Sequence, residues 1–246
     1  MDPTQPMSRS RWRSLARVTA ACLAVLVGLS AGAAVLVRRE PTFYRQQKSA
    51  ADATDASETL SRRAITKASS WHAAFSRPGA WDAVATADEI NAWLAVDLPR
   101  NHPRWLPAGI SHPRLEFRPG TMSIGVRVGR GPLSAVAWCD LAIRLRDANQ
   151  LSIVMERAGL GAVPLPRPPL LRELARRIDR FGMVTDLLVL DGRMTLMVYI
   201  PSTHDAGATS HWLNSLAIGA GELLVAGETR SAAVVRPGLP ASGEPR

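Results

Sequence analysis

Any catalytic or metal-binding site in this chain would have to draw on five histidines, two cysteines and scattered carboxylates. The histidines are His72, His102, His112, His204 and His211. None stands at a zinc-ligand spacing from a cysteine or carboxylate, and no His-Glu-x-x-His occurs. His102 and His112 flank one proline-rich loop and could meet across it, without a zinc-type pattern around them. Cys22 lies in an uncharged segment and Cys139 in an alternating apolar run, so the pair makes no disulfide framework. Cys139 reads as a small core residue, because neither a base nor a helix N-terminus adjoins it. Gly125, Gly129 and Gly131 echo a phosphate loop but lack the Gly-Lys-Ser/Thr ending, and hairpin punctuation accounts for them. There is no Gly-x-Ser-x-Gly elbow. Asp88 and Glu89 are first-turn acids favoured by a helix dipole, and Asp186 and Asp191 bracket a strand and a turn. No catalytic residue is nominated, no metal or cofactor is expected, and the chain is not read as an enzyme.

The chemistry that remains is charge against apolar surface. The formal net charge is +9, carried almost wholly by arginine, with Lys48 and Lys67 the only lysines. No zinc finger, aromatic RNA-binding motif or basic block accompanies that charge, so nucleic acid is not an expected partner. A helix over residues 168–181 carries Leu170, Leu174 and Ile178 on one side and Arg172, Arg176, Arg177 and Arg180 mostly on the other. Two readings stay open for it. It packs its apolar side into a core with its arginines solvated, or its arginines pair with anionic headgroups.

The positioning elements begin with a membrane anchor. Val18 to Val37 is twenty residues without a charge. At about 1.5 Å per residue that is roughly 30 Å, the thickness of a bilayer's hydrocarbon core. Arg11, Arg13 and Arg17 precede it and Arg38 and Arg39 follow, with Trp12, Phe43 and Tyr44 at aromatic-belt positions. The alternative is a cleaved signal peptide at Ala31-Gly32-Ala33. The short basic tail over 1–17 fits a signal-anchor, with the following domain outside the cytoplasm, in the periplasm. Gly28 and Gly32 form a G-x-x-x-G that would let two anchors self-associate, although an Ala/Gly-rich segment throws up this spacing by chance.

Residues 38–76 read as a helical juxtamembrane segment broken at Pro41, with Leu60, Ala64, Ala68, Trp71 and Phe75 on one stripe. The domain proper is expected over 77–230. Thr86 and Glu89 form a capping box for a helix bearing Ile90, Trp93 and Leu94, which Pro99 should stop. Asn101 to Pro113 reads as a loop. Alternation of period two then marks strands near 115–117, 122–128, 133–146 and 151–157, an antiparallel meander. After a Gly/Pro loop and the 168–181 helix come two hairpins, 184–190 with 194–200 and 212–218 with 223–228. Residues 231–246 read as a Pro/Gly/Ser-rich tail. The expected class is α+β: helices packed on a curved antiparallel sheet that is interrupted by one amphipathic helix.

Three stretches carry a resemblance: Thr86-Ala-Asp-Glu-Ile-Asn-Ala-Trp-Leu94, Phe117-Arg-Pro-Gly-Thr-Met-Ser-Ile, and Gly161-Ala-Val-Pro-Leu-Pro166 leading into a helix. Following a single membrane helix, they resemble membrane-anchored extracytoplasmic bacterial domains of the tubular lipid-binding (TULIP-type) superfamily, over roughly Ala83 to Glu228. The resemblance implies a long curled antiparallel sheet with helices on its concave side and an apolar groove for acyl chains, and it carries no catalytic residues. The expected function is binding of membrane lipid or another apolar ligand by Trp93, Leu170, Leu174 and Ile178 under the four helix arginines. The rival expectation is an assembly factor whose domain binds an envelope protein.

Overall fold

Thr86, Glu89 and the alternating runs after Ile110 set the elements of the structure, a computed structural model. It describes residues 32, 35–51, 54–131, 134–202 and 209–231. The tail 1–17, most of the apolar segment 18–37 with Cys22 and Gly28, His204 and the chain after Ser231 lie outside the described residues. Among the described residues no helix is long and apolar enough to cross a membrane.

The elements run α1 (Thr42–Ala51), α2 (Thr54–Phe75), β1 (Gly79–Thr86), α3 (Ala87–Asn101), a 3-10 turn (Pro103–Trp105), β2 (Ile110–Arg118), β3 (Thr121–Val128), β4 (Ala135–Asp147), β5 (Gln150–Leu160), β6 (Val163–Pro164), α4 (Arg167–Asp179), β7 (Val184–Leu190), β8 (Arg193–Tyr199), β9 (Thr209–Ile218) and β10 (Glu222–Ser231). The fold is α+β, and among the described residues every strand pairing is antiparallel. A larger sheet has the order β2-β3-β4-β5-β8-β7, with β6 beside β5, and a three-stranded sheet has the order β1-β10-β9.

Period-two alternation sorts the larger sheet into two faces. One face presents Leu141, Ile153, Met155, Leu196 and Val198, and Leu171 and Ala175 of α4 complete that core. Farther along the same face, Leu115 and Phe117 pack with Ala87 of α3 and Ile218 of β9, and Ile90 and Leu94 lie against them. The other face carries Ser123, Gly125 and Asp140, and Phe43 and Tyr44 of α1 lie over Gly125 so closely that an added Cβ would collide with them.

Three expectations are corrected. Residues 101–113 are not one loop, because β2 begins at Ile110 and includes Pro113. Proline is tolerated there because β2 is an edge strand with a register shift between Ser111 and Arg114, where His112 turns through φ +49°. Pro99 does not stop its helix, which runs to Asn101; the burial of Asp97 and Leu98 holds that last turn against proline's bias. The strand β1 was not anticipated, and it joins β9 and β10 in a sheet of their own.

Edge strand β2 is closed by a side chain. The Leu115 N–H donates to Asn91 Oδ1 at 2.8 Å, and Asn91 Nδ2 donates to the Leu115 carbonyl at 2.7 Å and to Gln47 Oε1 at 3.0 Å. The Asn91 amide stands where a neighbouring strand's peptide would. Asn91→Ala strips partners from a buried donor and a buried acceptor, so a loss of about 3 kcal/mol is expected in chemical denaturation. Faster hydrogen exchange at the Leu115 amide should accompany it, and a loss below about 1 kcal/mol would show that the edge is held by other means.

Candidate apolar groove

Helix α3 serves two neighbours with two stripes. Ala87, Asn91 and Leu94 meet the sheets, Trp93 and Asp97 turn toward α2, and Ile90 touches both. The facing stripe of α2 is thin, with Ala64 and Ala68 beside Ile65 and Trp71. Small residues opposite large ones leave space, and a groove of about 790 Å³ runs between the two helices with Ala85 of β1 in its wall.

Its open surface is mostly apolar, although Lys67, Ser69, His72, Glu89, Asp97, Asn101 and His102 also line it. Near the start of α3, Lys67 bridges both carboxylate oxygens of Glu89, at 2.7 and 2.8 Å. Glu89 also closes the capping box: its N–H donates to Thr86 Oγ1 at 3.3 Å and its carboxylate accepts the Thr86 N–H at 3.4 Å. Burial works to raise the Glu89 pKa, but Lys67 and the Thr86 amide and hydroxyl outweigh it, so the carboxyl lies below its ordinary value. At the far end, Asp97 accepts from Asn101 Nδ2 at 2.6 Å and lies 3.6 Å from His102 Nε2. His102 stacks on Trp105 with centroids 4.5 Å apart, and Trp93 lies about 6 Å from both rings, at 6.1 and 6.2 Å.

Two other spaces flank the core. A cavity of about 730 Å³ is lined by Phe75, Trp81, Asn149, Ile200, His211 and Leu213. A polar cleft of about 320 Å³ lies on the opposite sheet face, under Pro41, Thr42 and Phe43. In that cleft Asp140 accepts from Ser123 Oγ at 2.7 Å, from Arg157 Nε at 2.8 Å and Nη2 at 2.7 Å, and lies 3.3 Å from Arg118 Nη2. Its lone pairs are taken by internal partners, so it has the bonding of a structural ion network rather than of an acid awaiting a substrate. Cys139 packs half-buried against the core, its thiol pushed up to about 11 by burial and by Asp140, so it is not a thiolate nucleophile. Among the described residues no cluster of histidine, cysteine and carboxylates fits a metal ion.

The residues expected to form one ligand site are divided. Trp93 lines the α2–α3 groove. Leu170, Leu174 and Ile178 pack half-buried against the sheet core, so the apolar side of α4 is spent on packing, and none of the three spaces above is lined by α4. Arg172, Arg176, Arg177 and Arg180 are exposed, and Glu173 partly neutralises them through bridges of 3.0 Å to Arg176 and 3.0 Å to Arg177. The stripe of leucines at i, i+3 and i+4 suits core packing as well as ligand contact, and the sheet claims it. Sequence reasoning missed the Lys67–Glu89 pair and the His102–Trp105 stack as parts of a site. The available signal was the alanine pair Ala64 and Ala68, one turn apart, facing the same way as Trp71.

The Lys67–Glu89 pair gives a pH prediction. A carboxyl whose folded pKa is depressed contributes stability above its unfolded value, about 4.3, and loses it as pH falls through the folded value. Lys67→Met should cost about 2 kcal/mol at neutral pH by thermal unfolding, and the gap from the unmodified chain should close below about pH 4. A gap that persists unchanged in acid would remove the ion pair as its source. No protein-family model, no curated protein and no solved structure matches the chain.

Proposed function

We propose that this chain is a membrane-tethered envelope protein that holds an apolar ligand, an acyl chain of a membrane lipid, in the groove between α2 and α3. The observation that carries the reading is the groove itself. Its volume of about 790 Å³ lies within the 300–1,000 Å³ usual for ligand sites. Its walls are Ala64, Ile65, Ala68, Trp71, Ile90 and Trp93, with polar side chains concentrated toward its ends. This is a binding activity, and no residue is assigned a catalytic part. The uncharged run Val18 to Val37 supports a single-pass anchor, the basic tail supports a domain outside the cytoplasm, and Gly28 with Gly32 offers a route to pairing of two anchors. The TULIP-type resemblance points to the same ligand class, with the groove placed between helices rather than under α4.

One observation favours a protein partner as a second reading. Strand β7 is the free edge of the larger sheet, and Val184, Leu187, Leu188 and Val189 are exposed along it, next to Phe181 at 79% exposure. A long apolar edge is a template for strand addition.

The two readings separate in one preparation. The full chain is extracted in mild detergent and weighed by native mass spectrometry. Lipid-sized adducts are expected on the unmodified chain. Ala68→Trp, at an exposed helix position, fills the groove and should remove them, while Leu188→Lys should leave them in place. Adducts that survive Ala68→Trp, or a stoichiometric protein that is lost only with Leu188→Lys, would favour the partner reading.

A further inference from the structure

The tether meets the domain at one end of the larger sheet. Residues 35–38 are helical, the Ala162 N–H donates to the Leu36 carbonyl at 2.8 Å, and Gly161, at φ +61°, lies so close to the Val37 carbonyl that any side chain would collide with it. Strand register places other elements at the same end. Val128 pairs with Ile110 and with Ala135, Leu160 pairs with Ala137, and the Gly161 N–H donates to the Val136 carbonyl. Helix α3 runs antiparallel to β2, so its C-terminus and the following 3-10 turn also reach this end. The opposite end holds the turns at Pro119-Gly120 and Ala148-Asn149.

The tether end is rich in free positive charge. Arg38, Arg39, Arg104 and Arg130 are all exposed. None of them is ion-paired to a carboxylate among the described residues, whereas Arg100 and Arg127 at the same end are held by Glu58 and Glu40. Among these arginines Trp105 stands 66% exposed, its ring fixed by stacking on His102. An amphipathic indole with arginines around it is the composition of a membrane–water interface. Trp93, Asn101 and His102, which line the groove, lie at this end as well.

We infer that the end of the domain bearing Arg38, Arg39, Arg104, Trp105 and Arg130 rests on the anionic phospholipid headgroups of the bilayer that holds the anchor, so that the α2–α3 groove opens toward that bilayer. The inference rests on the tethered reading proposed above. Chain leaving the domain at Leu36 brings these arginines to the headgroup layer, and the tight fit at Gly161 keeps the domain from tumbling freely on its tether. The arginines of α4 are not needed for the contact.

The full chain, with Cys22 and Cys139 replaced by alanine, is reconstituted into vesicles of phosphatidylcholine with or without phosphatidylglycerol. An environment-sensitive fluorophore is placed at Val128→Cys, at the tether end, or at Pro119→Cys, at the opposite end. Lipids carrying a nitroxide on the headgroup should quench the label at position 128 and not at 119, and only when phosphatidylglycerol is present. In the anionic vesicles, each of Arg104→Ser and Arg130→Ser should lower the docking equilibrium about fivefold, and high salt should act in the same direction. Equal quenching at both positions in a chain that floats with the vesicles would overturn the inference and leave the anchor standing. Preferential quenching at 128 that ignores phosphatidylglycerol would overturn its electrostatic basis. A chain that fails to float with vesicles would sink the tethered reading and this inference together.

Discussion

The placement of α3 depends on one amide. Asn91 gives the Leu115 peptide both the acceptor and the donor that a further strand would supply, in a site where a polar group without a partner is costly. The requirement acts in two directions. It ends the sheet at β2, so this edge is not open to another chain, and it sets the register between α3 and the strand. Once that register is set, Ala87 and Leu94 fall on the core and Trp93 and Asp97 fall toward α2. Helix α2 is then fastened by Lys67 to Glu89 at one level and by Glu58 to Arg100 at another. The groove is the space left between two helices pinned at their polar ends and spaced by alanines.

A second fastening ties the N-terminal strap to the opposite sheet face. Tyr44 is buried over Gly125, its hydroxyl donating to the His112 carbonyl at 2.8 Å. Burial pushes its phenol pKa up against the pull of Arg127 and Arg114, so it remains a donor throughout the neutral range. The Glu40–Arg127 pair lies between this contact and the one at Gly161. Glycine is required at both close approaches, because any Cβ at Gly125 or Gly161 would push the strap off the sheet. Among the described residues the edge strand β7 has no comparable cover, so its apolar residues stand out against a chain that closes its other edge with Asn91 and Pro113.

Legibility in the sequence followed the range of the forces. The capping box at Thr86, the alternation from Met122 to Val128, the Asp191-Gly192 turn and the leucine stripe of α4 are local patterns, and each marks a real element. Strand β1 was missed because Gly79–Thr86 has no turn pair of its own and is selected by β10, almost 150 residues away in the chain. The extension of β2 through Pro113 and of α3 through Pro99 went unread because burial and edge position override the local bias of proline. The site was the least legible part. Trp93 was read correctly as a helix-face aromatic, but its partners Lys67, Ala68 and His102 come from other segments, and the leucines and arginines grouped with it sit on a helix that the sheet core had already claimed.

On the tethered, ligand-binding reading proposed above, the groove need not bind tightly to be useful. Exposed Ile65 and Trp105 leave apolar area in water, at a cost of about 25 cal/mol per Å² relative to burial, and a freely diffusing protein would gain by closing over them. If the run Val18 to Val37 is a membrane anchor, as proposed above, a domain fastened to it at Gly161 meets lipid as an effectively intramolecular partner. Its local concentration is then set by geometry rather than by abundance. A modest intrinsic affinity suffices, and an open groove allows entry and exit without a lid. Marginal apolar exposure at the Trp93–His102–Trp105 end is therefore compatible with a stable fold when that end faces headgroups. The same exposure at the far end, beside Asn149, would have no such compensation.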